Sequence, residues 1–316
     1  MKRATILIAV FVLTACSDAF VPPKVRIAIN PWPGYEFLYL AAQKKYFAEV
    51  GLDVELVEMS SLSDVQRLYI QGRVDGMAST MIEAVQAAGI TQVPLSIVLV
   101  PDYSDGGDVI VAKSELTFLS DLKGKRIAGE IGSLGMFILV RALERIDLTL
   151  DDVDFTHVEQ LNMLEKIKNG TIDAAVTYPP YSTEILRNHE FKELFSTSEI
   201  PLEVIDVVSV RLDMIDSDPE WVAKFHQAWQ MALDYAQRNR AEAYKIMADR
   251  EGITVGEFTE ALNGVAINSS ESQPEILKST VLKHNISNVC RVLSESKTVS
   301  FKCADAVPLI TPYKQE

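Results

Sequence analysis

From Lys24 onward apolar and polar positions alternate, with Val25, Ile27 and Ile29 on one side, which predicts a strand over 24–29. Asn30-Pro31-Trp32-Pro33-Gly34 ends it, because two prolines withhold backbone donors and the glycine favours a turn. Apolar spacing then predicts a helix over about 35–48, a stop at Gly51 and a second strand over 52–57. The same plan returns about 100 residues later: strand 125–129, the turn Gly132-Ser133-Leu134-Gly135, helix 136–146 and strand 153–157. A second pair of matches accompanies it. Gly72-Arg73-Val74-Asp75 precedes the short run 76–79, and Gly170-Thr171-Ile172-Asp173 precedes 174–177, with Asp75 and Asp173 98 positions apart. Two coincident spacings predict two similarly built α/β lobes. Extended stretches over 93–100, 109–112 and 204–210 are the natural places for the chain to cross between them. Beyond Pro219, Trp221, Phe225, Ala228, Trp229, Ala232 and Tyr235 recur at helical steps, and further helices are expected over 240–249, 255–262 and 274–294. Trp221 and Trp229 are read as core.

The first residues follow a different pattern. Met1-Lys2-Arg3 gives a positive start, residues 6–13 are apolar, and Leu13-Thr14-Ala15-Cys16 closes the run, as in a secretory signal. The run is shorter than the roughly 20 residues a membrane-spanning helix needs. Leu-Thr-Ala-Cys resembles the bacterial lipobox, in which the cysteine is acylated and becomes the first residue of the mature chain. That resemblance implies that 1–15 are a signal peptide, that Cys16 carries lipid, and that 16–23 form an anchor and linker. Ser17, where an aspartate would retain a lipoprotein at the inner membrane, leaves the outer membrane open as its destination. Export also bears on Cys290 and Cys303, since an oxidising compartment favours their pairing; two free structural thiols are the alternative.

The full chain has a net charge of −14; without the signal, 28 basic face 44 acidic side chains. So acidic a body is a poor partner for nucleic acid, which needs a cationic surface. About 300 residues at 48% apolar content suffice for two packed cores.

In parallel α/β sheets ligands bind beyond the carboxyl ends of strands. That rule selects the loops 30–36, 79–83, 101–108, 130–136 and 178–182, where Trp32, Tyr35, Tyr103, Tyr178 and Tyr181 gather. None of the five contains a lysine or arginine, whereas Glu36, Glu83, Asp102, Asp105, Asp108 and Glu130 all occur in them. Such loops suit a cationic or neutral nitrogenous ligand, held by aromatic faces and acceptors. Gly132-Ser133-Leu134-Gly135 opens a helix and offers free amides to an acceptor group of a ligand. The alternative is that Ser133 caps its own helix. The expected ligand contacts are Trp32, Tyr35, Ser79, Thr80, Asp102, Ser104, Asp108, Ser133, Gly135, Tyr178 and, on the second crossing, Asp206.

The residues Asn30 to Glu36, followed by Leu38-Tyr39-Leu40-Ala41, resemble the opening of periplasmic solute-binding proteins of the nitrate, sulfonate, taurine and thiamine-pyrimidine group. Tyr46-Phe47-Ala48-Glu49-Val50-Gly51-Leu52, Asp102-Tyr103-Ser104-Asp105-Gly106-Gly107-Asp108 and Asp121-Leu122-Lys123-Gly124-Lys125 extend the likeness, in order, over about 25–250. It implies an α/β fold of two lobes (periplasmic binding protein, type II), each a mixed, mainly parallel sheet flanked by helices, with the ligand in the cleft between. On that plan 24–107 begin lobe one, 108–207 form lobe two, and 208–316 return to lobe one and end in helices. Tyr178-Pro179-Pro180 stands where family members often have Trp-Glu-Pro, so a phenol replaces an acceptor.

The function so implied is the substrate-binding lipoprotein of an ABC importer: periplasmic, attached to the membrane by lipid only, with a permease and ATPase as partners. The alternative is a ligand sensor of the same fold that signals to a membrane kinase or cyclase. Neither a metal nor a cofactor is expected. Nor is catalysis: His157, His189, His226 and His284 are scattered, and no Gly-x-Ser-x-Gly, His-Glu-x-x-His or phosphate loop occurs. The eukaryotic thiamine-pyrimidine synthases resemble this fold but carry a cysteine cluster and a sacrificial histidine without counterparts here.

Overall fold

The structure, a computed structural model, describes residues 23–216, 218–296 and 299–313. The signal segment and Cys16 lie outside the described residues. In chain order the strands are β1 (Lys24–Ile29), β2 (Asp53–Glu58), β3 (Gly76–Thr80), β4 (Leu95–Leu99), β5 (Asp102–Ser104), β6 (Val109–Lys113) and β7 (Arg126–Gly129). There follow β8 (Asp154–His157), β9 (Ala174–Thr177), β10 (Phe191–Ser196), β11 (Asp206–Arg211), β12 (Val265–Ile267) and β13 (Ile310–Pro312). One sheet runs β13-β4-β11-β3-β1-β2, a second β10-β6-β9-β7-β8, and β12 pairs with β5 in a separate ribbon. β2, β1 and β3 run parallel with β11 antiparallel between β3 and β4, and β8, β7 and β9 run parallel with β6 antiparallel between β9 and β10, so the periplasmic-binding-protein architecture expected from the sequence is the one found.

The repeat seen in the sequence has a physical basis in matched registers. Ile27 and Ala28 of β1 pair with Gly76 and Met77 of β3, and Ile127 and Ala128 of β7 pair with Ala174 and Ala175 of β9. At the start of each pair an aspartate clamps an arginine backbone: Arg26 N donates to Asp75 at 2.9 Å and Arg126 N to Asp173 at 3.2 Å. Asp75 N and Asp173 N each return a bond of 2.8 Å to the same arginine's carbonyl. Gly72 and Gly170 precede these clamps with φ of +66° and +73°, a left-handed turn that costs glycine little.

Strand alternation in lobe two divides its core in two. Val109, Val111, Ala128 and Ala175 face helices Gln160–Lys168 and Tyr181–Leu186, while Ile110, Ala112, Ile127, Ala174 and Val176 face the other way. That second face, covered by helix Leu134–Glu144, is continuous with the core of lobe one.

Three expectations are corrected. The helix expected over 35–48 is two, Glu36–Gln43 and Tyr46–Glu49, separated by Lys45 at φ +62°. The break lets Phe47 stack on Phe225 at 5.3 Å, beneath helix Trp221–Arg238. The helix expected over 274–294 is Gln273–Ile276 and Thr280–Glu295. Gln273 there docks on the end of β4, accepting from Val100 N at 2.8 Å and donating to its carbonyl at 2.9 Å. Lastly, Asp206 and Val207 pair with Thr80 and Ser79 in the first sheet, so the return to lobe one falls ahead of Asp206 rather than after 207.

The crossings form a narrow band. β5 pairs with β12 through Ser104, Tyr103 and Asp102, and Tyr103 bridges to Ile205 on the return crossing. Ser104 N donates to Val204 O at 3.1 Å, and the Ser104 and Thr197 hydroxyls lie 2.7 Å apart. Cys290 and Cys303 form a disulfide with Cα atoms 5.5 Å apart, closing a 13-residue separation. By chain entropy such a loop is worth about 3 kcal/mol. It ties helix Thr280–Glu295 to the segment that leads into β13. No helix among the described residues is long and apolar enough to cross a membrane.

Candidate ligand-binding site

The two lobes meet shut. Tyr181 Oη donates to Ser60 O at 2.5 Å, Gln86 Nε2 to Gly132 O at 2.5 Å, and Leu62 N to Tyr178 Oη at 3.4 Å. At the rim Arg187 holds Glu257 with bonds of 2.7 and 2.9 Å. Between them is a cavity of about 10 Å³, room for about one water, lined by Asn30, Trp32, Tyr35, Leu62, Thr80, Asp108, Leu134, Tyr178 and Asp206.

The turn 30–36 places its aromatics by local geometry. The backbone amides of Tyr35 and Glu36 both bond Trp32 O, at 2.9 and 3.2 Å, folding the turn back on itself. Trp32 Nε1 then donates to Asp102 at 3.1 Å, and its ring meets Tyr178 edge-on at 6.2 Å. Gly107 permits this: a Cβ there would lie 2.5 Å from the Trp32 ring. Tyr35 donates its phenol proton to Asp206. Tyr178 meets Tyr181 edge-on at 5.8 Å.

Five carboxylates are buried here: Glu83, Asp102, Asp108, Glu130 and Asp206. Among the described residues no lysine or arginine forms a salt bridge with any of them. Oδ2 of Asp102, Asp108 and Asp206 and Oε1 of Glu130 meet no protein N–H or O–H donor. Removing charges from water without cations is costly, which favours the protonated forms of Asp102, Asp108, Glu130 and Asp206, whereas at Glu83 four donors from Ser133, Leu134 and Thr80 oppose the same push. Burial pushes Asp102 up to about 7 and Glu130 up to about 7, and holds Asp108 well above the carboxylate range. Asp206 is also pushed well up, by burial first and then by Asp102 beside it, within hydrogen-bonding reach. Burial likewise raises the Tyr35 and Tyr178 phenols well above their ordinary range, so both remain hydrogen-bond donors.

Of the residues expected at the ligand, Trp32, Tyr35, Thr80, Asp108, Tyr178 and Asp206 come together on the cavity wall, and Asp102 stands behind Trp32. The others lie elsewhere. Ser79 is buried in β3, its hydroxyl 3.3 Å from Thr80 O. Ser104 orders the crossing, accepting from Asp108 N at 3.1 Å. Gly135 is a packing position, where a Cβ would come within 3.2 Å of Glu130 N. Ser133 neither caps its own helix nor points amides at open space: its hydroxyl donates to Glu83 at 2.6 Å. Asn30, Leu62 and Leu134, absent from the expected set, complete the wall. Glu83 was readable in part, since Thr80-Met81-Ile82-Glu83 has the spacing of a capping box. Its reach across the cleft was not.

The sequence pattern of the family described as NMT1/THI5 like matches residues 32–243. A 4-amino-5-hydroxymethyl-2-methylpyrimidine phosphate synthase of Aspergillus parasiticus is 29% identical over 243 residues, covering 70% of this chain and 68% of that one. Solved structures share the fold, SsuA and NrtA among them. The alkanesulfonate-binding protein SsuA from Xanthomonas axonopodis pv. citri, bound to MOPS, superposes with a TM-score of 0.77 at 18% identity, over 93% of this chain and all of that one. The periplasmic nitrate-binding protein NrtA from Synechocystis PCC 6803 gives 0.70 at 12% identity, over 91% and 85%. With two thirds of its length under the family pattern and the two-lobed fold around a closed cleft, this chain belongs to the NMT1/THI5-like family.

Proposed function

We propose that the protein captures a small cationic or neutral nitrogenous solute by lobe closure and delivers it to an ABC permease and ATPase from a lipid anchor at Cys16. The observation that carries the reading is the pair Asp108 and Asp206, buried on the cavity wall beside Trp32, Tyr35 and Tyr178, each with an unfilled acceptor atom. A ligand ammonium or ring N–H supplies the donors they lack, and cation–π contact adds about 0.5–2 kcal/mol. The kinship with binding proteins such as SsuA and NrtA supports transport, and the latter's periplasmic place supports the same compartment here.

A catalytic reading is supported by the several pyrimidine phosphate synthases among the relatives. Against it, Cys290 and Cys303 are tied to one another, and none of the cavity-lining residues is a histidine. We therefore take the protein to bind rather than transform its ligand.

Thermal-shift screening of amines, amino-acid derivatives and pyrimidines, with native mass spectrometry of freshly purified protein, is the test. A true ligand at 100 times its dissociation constant is expected to stabilise by about 2.7 kcal/mol. Loss of a charge-assisted bond costs roughly 1.5–3 kcal/mol, so Asp108→Asn should weaken that ligand tenfold or more. Unchanged affinity in Asp108→Asn and Asp102→Asn would remove the electrostatic basis of the reading. The anchor is tested separately: Cys16→Ser is expected to leave an uncleaved precursor that takes up no labelled fatty acid, and normal processing of that variant would refute it.

A further inference from the structure

Helix Met81–Thr91 in lobe one and helix Leu134–Glu144 in lobe two begin at the same point of the cleft, and one side chain joins them. Glu83 Oε1 accepts from the Ser133 hydroxyl at 2.6 Å and from Leu134 N at 2.9 Å. Its Oε2 accepts from Thr80 N at 3.1 Å and from the Thr80 hydroxyl. Four donors, two of them first-turn or cap amides at helix N-termini, surround a fully buried carboxylate, and no cation takes part. Helix N-termini of this kind attract anions. The seat in lobe two is thus filled from within the molecule.

We infer that Glu83 determines the charge class of the ligand: it is a resident anion that takes the anion seat of lobe two, so the cleft closes without a ligand anion and rejects solutes that bring one. The inference rests on the reading of the cleft as a solute site and names what that site excludes. A sulfonate or carboxylate entering the closed cleft finds its donors engaged by Glu83 and faces Asp102, Asp108, Asp206 and Glu130. Of those four, Asp108 and Asp206 line the cavity, and the unfilled Oδ2 of each stays available to a ligand that brings only N–H donors.

Glu83→Ala deletes a CH₂–COO⁻ fragment, the size of acetate, and vacates the seat. Acetate, nitrate and methanesulfonate, each at constant ionic strength against chloride, are expected to raise the melting midpoint of Glu83→Ala by about 5 °C or more and that of the wild type by less than about 1 °C. A wild type stabilised by these anions as strongly as Glu83→Ala overturns the inference, as does a folded Glu83→Ala indifferent to all three. Should Glu83→Ala fail to fold, Glu83→Gln keeps the volume while its amide nitrogen cannot accept from Thr80 N. Small-angle scattering of unliganded Glu83→Gln at pH 5, where the wild type is expected closed, is then expected to show a larger radius of gyration than wild type, and an unchanged radius counts against the inference. If no amine binds the wild type yet Glu83→Ala gains the anion response, the solute reading fails while the role of Glu83 stands.

Discussion

Replacing Arg250 with methionine is expected to destabilise the protein by about 3–5 kcal/mol at pH 8, the range for breaking a buried ion pair from one side. Arg250 lies on helix Arg240–Glu251 with its side chain 4% exposed. It pairs with the buried Glu36, donates from Nε to Glu58 at 3.1 Å, and stacks 4.9 Å over the Tyr39 ring. Burial pushes the Glu36 carboxyl up to about 7 even with the guanidinium opposing it. Without Arg250 that carboxyl rises further and must keep its proton. A folded pKa raised above the unfolded one confers stability at low pH that is lost as pH rises. The deficit of Arg250→Met is therefore expected to shrink at pH 5, where Glu36 is neutral in either protein. Urea denaturation at the two pH values measures this, and equal losses at both would show that Glu36 carries no charge in the wild type. Because Glu36 directly follows Tyr35, the same variant is expected to loosen the turn that presents Trp32 and Tyr35 to the cleft.

The second large effect is a pH dependence of closure and of ligand affinity. Asp102, Glu130, Asp108 and Asp206 are all raised by burial, Asp102 and Glu130 to about 7. Between the ordinary carboxylate range and those values the closed protein holds protons that the unfolded chain has released. Its stability is therefore highest at acid pH and falls as pH rises through about 4.5–7. The expected result is an unliganded protein that is closed at pH 5 and open at pH 8 by small-angle scattering. A cationic ligand reverses the sense. It favours ionised carboxylates, so its affinity should rise about tenfold per pH unit for each proton released on binding. Calorimetry at pH 6 in two buffers of different ionisation enthalpy counts those protons. Net release of one or more agrees with the carboxylate site; proton uptake would mean that the ligand brings an anion.

The sequence made the lobes legible because their repeat is written in backbone requirements. Gly72 and Gly170 turn the chain, and Asp75 and Asp173 clamp Arg26 and Arg126, all at recoverable spacing. Trp32, Tyr35 and Tyr178 were recognisable as loop aromatics for the same local reason. Residues that act across the cleft left weaker traces. Leu62 and Leu134 look like ordinary first-turn hydrophobes, and only the meeting of lobes makes them cavity wall. Ser104 and Gly135 look like ligand residues because they sit in the right loops, but one is used to order the crossing and the other to let a helix approach its strand. The two helix breaks, near Lys45 and Ser279, accompany contacts with Phe225 and with the end of β4, neither of which is near in sequence.

The band that joins the lobes has a mechanical consequence. A pair of unsupported strands can twist, shear and bend, giving a hinge several independent motions. Here β5 is laddered on one side to β12 and bridged on the other to Ile205, so shear or torsion must break hydrogen bonds in register while bending across the pleat breaks none. Opening is therefore expected to proceed by bending of this band rather than by shear or twist. Each closure returns the two ends of Glu83's contacts, Thr80 and Ser133, to the same alignment, and the lobes need no search over relative orientations before they lock.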